Sequence, residues 1–315
     1  MARLFQITGP VLDLVYKVMA LPASGEEAVV TGFSMAAGGG FNAMVAARRA
    51  GMEVVLAGSL GTGPFATVVA QELARHDITL ARAPVRQADQ GCCVVLIEPD
   101  GERSFIASPG AEGRISAADL AAVSVGQGDW LLLSGYTLAY PGAAGAVSDW
   151  IAALPSGVSV LFDPSPVAAQ IPVAVLAPVL KRADWISANQ AEAAVLFPGL
   201  PPARLGDALA AGRQGAVLRL GARGATLIRN ERSVTVPAYA VAAVDTNGAG
   251  DTHIGSFIAR ISLTGDPLAA LHYANIAAAL STTLEGPATA PNSAEVLEHL
   301  NHTNPREPLN GSFHG

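Results

Sequence analysis

Short apolar runs recur along the chain, each closed by Gly, Pro or a polar residue: residues 54–57, 130–134, 158–163, 185–188 and 216–220. Runs this short and this continuously apolar predict strands buried on both faces. Ala-rich stretches with apolar residues at helical spacing lie between several of them, at 42–50, 65–75 and 143–153. Strand and helix alternating in this way predict an α/β fold, a doubly wound parallel sheet flanked by helices.

Two segments break the rhythm, residues 12–35 and 91–108. In the second, the run Cys92 to Glu98 is followed by Pro99-Asp100-Gly101-Glu102 and then by Arg103 to Ala107. Strand, Asp-Gly turn and strand predict a hairpin. The two segments together predict a small β-sheet lid, discontinuous in sequence, outside a core made of 1–11, 36–90 and 109–300. The last third reads as helical. Gly265 ends one helix, Asp266 caps the next, and Pro267 suits its first turn; that helix is expected to run to about Leu284 and stop at Gly286-Pro287. Residues 301–315 are polar and bear Pro and Gly, which predicts a flexible tail. The chain carries no internal repeat.

Composition narrows the class. Half of the 315 residues are hydrophobic, 14% are charged and 5% are aromatic, with Ala and Gly abundant. That supplies a large core packed closely through small side chains, and it excludes a disordered chain. The net charge of −7 and the lack of Lys/Arg clusters beyond Arg48-Arg49 and Lys181-Arg182, read as solvated helix ends, argue against nucleic acid as a partner. Cys92 and Cys93 are adjacent and cannot make an ordinary unstrained disulfide with each other. No zinc spacing exists, so they read as structural thiols of a reducing compartment. Residues 1–10 lack the pattern of a secretory leader, and no apolar stretch is long enough to span a bilayer. A cytoplasmic protein with no membrane partner is the expectation.

The candidate chemistry lies in Asp245-Thr246-Asn247-Gly248-Ala249-Gly250-Asp251. An apolar run precedes it, and an amphipathic helix follows, with Ile254, Phe257, Ile258 and Ile261 on one side. Glycines let a backbone approach an anion closely, and free N–H groups at a helix start attract negative charge. A carboxylate at that point, Asp251, suits removal of a proton from a hydroxyl that attacks a phosphoryl group. The residue types by themselves leave a second reading open, a Gly-rich turn that only starts a helix.

The run 245–251, with Thr252, Gly255 and Phe257 after it, closely resembles the C-terminal motif of the ribokinase-like (PfkB) family of carbohydrate and nucleoside kinases. Four further segments match in order. Gly9-Pro10-Val11-Leu12-Asp13 resembles the family's first strand with its sugar-binding Asp. Ala37-Gly38-Gly39-Gly40-Phe41-Asn42-Ala43 resembles its di-glycine helix start, Asn189-Gln190-Ala191-Glu192 its magnesium motif, and Leu220-Gly221-Ala222-Arg223-Gly224 its nucleotide-contacting turn. The resemblance covers about residues 3–298 and points to a bacterial sugar-kinase branch of unsettled substrate.

What the resemblance implies is an ATP-dependent kinase acting on a hydroxyl of a sugar or sugar-like molecule. Asp251 would be the general base, and the N–H groups of Gly248, Ala249 and Gly250 the anion hole. Asp13 and Asn42 would bind sugar hydroxyls, with Gly38 and Gly39 as lid hinge and close-approach points. Asn189, Gly221, Arg223, Gly224 and Asn275 would line the ATP site. Glu192 would organise Mg²⁺ through water, and Asp245 and Asn247 match positions that hold a monovalent cation such as K⁺ in some relatives. Ala37 and Gly39 depart from the family pattern, Gly39 standing where ribokinases commonly have Lys. His253 reads as a packing residue, and the role of Asp163 is open. A homodimer through the lid is a further expectation.

Other classes recede. The two lysines, Lys17 and Lys181, follow no Gly-x-x-x-x-Gly, so no Walker A loop exists, and the dinucleotide fingerprint lacks its third Gly. A nucleoside kinase of the same family, stacking its base on Tyr16, Phe33 or Phe105, competes with the sugar kinase. So does a non-catalytic ligand sensor.

Overall fold

The structure is a computed structural model that describes residues 2–303. Its strands among these residues, in chain order, are β1 (Arg3–Gln6), β2 (Pro10–Val18), β3 (Val30–Gly39), β4 (Glu53–Leu56), β5 (Thr79–Leu80), β6 (Cys92–Ile97), β7 (Arg103–Ser108), β8 (Trp130–Ser134), β9 (Ser159–Asp163), β10 (Trp185–Asn189), β11 (Gly215–Arg219), β12 (Ala225–Arg229) and β13 (Arg232–Val236). Nine form one sheet in the order β13-β12-β11-β10-β9-β8-β1-β4-β5. The seven from β11 to β5 pair in parallel. The last two turn back antiparallel, a hairpin that periodicity did not announce. All five apolar runs become strands of this sheet. Both faces of β8, β9 and β10 are buried, which is why their sequences are apolar throughout rather than alternating.

Helices cover both faces. Gly40–Arg49, Pro64–Arg75 and Ala144–Ala152 fall where the Ala-rich stretches predict them. Ala249–Thr264 packs beside both Gly40–Arg49 and Pro267–Ser281, and its Phe257 meets Trp185 edge-on with ring centroids 5.4 Å apart. Gly265 ends the first of these two in a left-handed turn, and Asp266 caps the second by accepting from Leu268 and Ala269 N–H. The second stops at Ser281, three residues short of expectation.

The remaining four strands form a separate sheet in the order β3-β2-β6-β7. The expected hairpin is β6–β7, antiparallel from Cys92↔Ser108 to Ile97↔Arg103. The segment Gly9 to Asp13 does not form the first strand. That strand is Arg3–Gln6, and Asp13 lies inside β2, because the apolar run 10–18 pairs with the lid strands β3 and β6. Strand β3 runs directly into the helix at Gly40, so Gly38 and Gly39 stand at the junction of the two sheets. Arg182 is no solvated helix end: it bonds Asp184 and the carbonyls of Leu154, Pro155 and Val158. The tail expected over 301–315 lies outside the described residues from 304 on.

Candidate active site

Strand β1 has its two sheet neighbours on opposite sides, β4 and β8, and the chain builds outward in each direction from it. Open α/β sheets bind ligands at such a switch point, beyond the carboxyl ends of the strands. A cavity of about 210 Å³ sits there. Gln6 and Thr8 follow from β1, Ser134 ends β8, Asp163 ends β9, Arg219 ends β11, and Glu192 lies in the first turn of the helix Gln190–Leu196 after β10. Gly248, Gly250 and Asp251 close the opposite wall. Residues from six separate chain segments thus meet at one edge of the sheet.

Gly248 caps the helix Ala249–Thr264 in the left-handed region, φ 72°, a conformation open to glycine at little cost. No side chain caps this helix start: Ala249 N–H makes only a long 3.3 Å bond to the Thr246 carbonyl, and the N–H groups of Gly248 and Gly250, which line the cavity, have no partner among the described residues. Asp251 stands in the first turn. Its Oδ2 accepts a hydrogen bond from Asn42 Nδ2 at 3.1 Å, and the Asn42 carbonyl oxygen accepts from Ala288 N–H. Asn42 is buried, with both ends of its amide engaged, so it orients Asp251. Burial, then the Asp163 carboxylate, push the Asp251 carboxyl up to about 6, against the Asn42 hydrogen bond and Arg219.

Asn189 and Glu192 form a reciprocal capping box, each side chain accepting from the other's backbone N–H at 2.8 Å. The same Glu192 oxygen accepts from Arg219 Nη2 at 2.8 Å, and that nitrogen lies 3.2 Å from Asp163 Oδ1. Burial raises the Glu192 carboxyl above its ordinary value, Arg219 pulls the other way, and Asp163 adds to the rise. The helix-capping and functional readings of this motif therefore coexist in one side chain.

A second cavity of about 440 Å³ lies on the far side of Arg219 and Gly250. Gly221, Gly224, His253 and Asn275 line it, with the apolar segment Ala238 to Val241. Arg223 does not line it; its guanidinium is exposed and donates to Gln190 Oε1. Asn275 donates to the carbonyls of Val236 and Pro237 and accepts from His253 Nε2. His253 is buried, which lowers its pKa to about 4 and keeps it neutral.

The lid supplies Asp13 and Arg103. Asp13 has no hydrogen-bond partner among the described residues, and burial pushes its carboxyl up to about 6. Gly38 leaves it room: a Cβ there would lie 2.1 Å from Asp13 Oδ2. Register decides what shares its face. Asp13 pairs with Cys93 and Cys93 with Ala107, so Cys93, Phe105 and Arg103 project on the Asp13 side, while Tyr16, Phe33, Met35 and Ile106 project on the other. Tyr16 and Phe33 pack on one another, centroids 4.8 Å apart, away from Asp13. Arg103 Nη2 reaches Asp245 Oδ1 at 2.6 Å. Burial disfavours the Asp245 charge, yet hydrogen bonds from Arg103 and from the Asn247 and Gly286 N–H groups outweigh it and hold the carboxyl below its ordinary range.

Sequence reading did not single out Arg219 as a site residue, named Arg103 and Lys17 only as candidates to meet a phosphorylated substrate, and left Asp163 without a role. A signal existed for Arg219: it is a charged residue inside a run otherwise apolar enough to be buried, and buried arginines are rare unless paired. Among the described residues, no group of three or more His, Cys, Asp or Glu could hold a metal ion, and no helix is long and apolar enough to cross a membrane.

A carboxylate thus stands on an uncapped helix start beside two cavities at the switch point. The family model described as pfkB family carbohydrate kinase matches residues 9–294, and the chain belongs to that family. It is 31% identical over 303 residues to the uncharacterized sugar kinase YegV of Escherichia coli (strain K12), covering 93% of this chain and 92% of that one. It is 27% identical to the ribokinase of Bacillus subtilis (strain 168) over 86% of this chain and 89% of that one. Among solved structures, Arabidopsis thaliana ribokinase complexed with ribose and ATP superposes with a TM-score of 0.76 at 24% identity, over 95% of this chain and 99% of that one. The protein is a kinase with the ribokinase fold, and its family supports ATP-dependent phosphorylation of a sugar-like substrate.

Proposed function

We propose that the enzyme transfers the terminal phosphoryl group of ATP to a hydroxyl of a sugar or sugar-like small molecule, with Asp251 as general base. The observation that carries this is the placement of Asp251: a half-buried carboxylate, raised to about 6, at an uncapped helix start where two cavities meet. A base poised near the working pH takes the hydroxyl proton as the oxygen attacks phosphorus. The N–H groups of Gly248, Ala249 and Gly250 receive the charge spreading onto the phosphoryl oxygens, and such preorganised donors are the larger part of catalysis of this type. The bond from phosphorus to the bridging oxygen of ADP breaks as the new one forms.

ATP occupies the 440 Å³ cavity, with its base end toward Gly221, Gly224 and Asn275. The acceptor lies between the switch-point cavity and the lid, where Asp13 offers an unpartnered carboxylate to a hydroxyl and Gly38 and Gly39 allow residues 12–35 and 91–108 to close over the core. Asn42 acts through Asp251. The Asp163 and Glu192 carboxylates are hard oxygen donors side by side, which suits Mg²⁺ arriving with the nucleotide and keeping most of its waters. Bound there, Mg²⁺ would neutralise phosphate charge. A cytoplasmic location supplies ATP and keeps Cys92 and Cys93 reduced.

The monovalent cation of some relatives meets a largely occupied carboxylate here. Asp245 already accepts from Arg103, Asn247 N–H and Gly286 N–H, three of its roughly four lone-pair positions. Turnover is therefore expected to be the same in potassium chloride and in tetramethylammonium chloride. A potassium-specific rise in rate would show that the Arg103 contact gives way to a cation.

A panel of pentoses, hexoses, their phosphates and nucleosides with Mg-ATP, read by ADP release, tests the function. Release with a sugar supports it. Release with nucleosides alone favours the nucleoside-kinase reading, in which Phe105 is the one lid aromatic of the three on the Asp13 side. Binding of a sugar without ATP consumption marks a sensor. The outer lid face, with Phe33, Met35 and Ile106 exposed, supports a homodimer formed through it. A monomer mass at micromolar concentration would refute that.

A further inference from the structure

Two residues line both cavities, Gly250 and Arg219. Arg219 is the only charged side chain common to the two walls, so it stands where a phosphoryl group must pass from nucleotide to acceptor. One of its nitrogens, Nη2, is spent on Glu192 and Asp163. Its Nε is buried with no hydrogen-bond partner. Its Nη1 faces the helix start: a Cβ built on Gly250 would lie 2.6 Å from it. A guanidinium has five N–H donors in a rigid fork; here those of Nη2 are engaged, Nε is buried without a partner, which is costly, and Nη1 opens toward Gly250 with room for an acceptor. The partner that fits is a phosphoryl group, whose oxygens accept two parallel bonds from such a fork.

We propose that Arg219 is a catalytic residue that binds the phosphoryl group in flight, and that in the free enzyme it serves as an internal counter-cation for Asp163 and Glu192. The inference rests on the kinase reading of the site. Without a positive charge between them, Asp163, Glu192 and Asp251 would face one another as three carboxylates in one crevice. Arg219 holds that arrangement together until a nucleotide and its cation enter. With a cation bound there, Glu192 and Asp163 would hold it, and the fork would be free for the phosphoryl oxygens beside Gly250. No covalent bond to Arg219 forms: the acceptor proton goes to Asp251, and the electron pair of the broken bond leaves with ADP.

The alternative is a purely structural tie that anchors Glu192. The test therefore uses Arg219→Ala and Arg219→Lys in the full chain, with folding checked by thermal melts. Expected for Arg219→Ala is a kcat lower by ~10²–10³-fold, the loss typical of removing one transition-state donor, with KM for the acceptor little changed. Millimolar guanidinium should restore part of that rate in Arg219→Ala, and equal sodium chloride should not; Arg219→Lys should fall between. A kcat of Arg219→Ala close to the parent, or a loss that neither guanidinium nor Lys repairs in a folded protein, overturns the proposal. If the parent enzyme turns over no acceptor, the kinase reading itself fails, and calorimetry with inorganic pyrophosphate decides about Arg219 alone. Binding weakened by ~10-fold or more in Arg219→Ala upholds an anion-binding role, and unchanged binding removes it.

Discussion

Asp251→Asn is expected to lower kcat by about 10³-fold and to make the protein more stable at neutral pH. The amide keeps the shape of the carboxylate and still accepts from Asn42, but it cannot take a proton, and general-base catalysis contributes roughly 10²–10⁴-fold. In the parent enzyme the active form is the ionised one, so kcat/KM should rise tenfold per pH unit below about 6 and level off above it. The stability effect has the opposite sense. The folded state raises the pKa of Asp251 above its ordinary value of 3.8, so it favours the protonated form. That contribution is fully present below about pH 4 and is lost as pH rises through about 6. Above pH 6 the fold carries a buried charge facing Asp163 and Glu192. A shift of about two pKa units corresponds to roughly 3 kcal/mol, so Asp251→Asn should gain on the order of 2 kcal/mol at pH 8 and almost nothing at pH 4. Thermal melts at the two pH values measure this. A variant with near-full turnover would remove Asp251 from the mechanism, and equal melting gains at both pH values would remove the buried-charge argument.

Gly255→Ala is expected to cost about 3 kcal/mol, the upper end of overpacking effects, and to reduce turnover as well. Gly255 lies one turn beyond Asp251 on the helix Ala249–Thr264, where that helix crosses Gly40–Arg49. A Cβ there would lie 2.2 Å from the Ala43 carbonyl oxygen and 3.0 Å from the Ala46 Cβ. The obstacle is backbone inside a helix, so no rotamer change relieves it, and the two helices must separate. The Asn42–Asp251 hydrogen bond of 3.1 Å spans the same crossing. A displacement near 1 Å at reacting groups costs up to ~10²-fold in rate. Thermal melts should show a loss of roughly 5 °C. Gly145→Ala is the control: it is also helical, but its added Cβ meets nothing within 4 Å. It should be neutral or stabilising by about 0.5–1 kcal/mol. Equal behaviour of the two variants would show that the helices tolerate separation.

Much of the framework was legible because its signals are local. Five apolar runs became five strands, Asp100-Gly101 turned the lid hairpin, and Gly265 with Asp266 divided two helices, each through a few consecutive residues whose backbone preferences agree with the fold. The run from Asp245 to Asp251 likewise carried its own geometry, glycine with positive φ followed by an uncapped helix start. The placement of Asp13 was misjudged because strand membership depends on which partner strands a run finds, and β2 finds β3 and β6. The antiparallel hairpin β12–β13 escaped because its turn, Asn230-Glu231 with both residues at positive φ, lacks the glycine that marked the lid hairpin.

The amino-acid sequence by itself determined the alternation of strand and helix, the existence of the lid, the motif order that marks the kinase family, and the identity of the carboxylate on the helix start. Tertiary structure alone decided what that carboxylate meets. Asn42 reaches Asp251 across 209 residues, Arg103 reaches Asp245 across 142, and Arg219 reaches Asp163 across 56. Those meetings follow from the order of strands in the sheet, in which β1 separates the two directions of winding and brings the ends of β8, β9 and β11 to one crevice. Helix and turn formation depend on neighbours within a few residues, whereas sheet order is settled by burying all the apolar runs at once. A charge such as Arg219 therefore shows its use only after the core has closed around it.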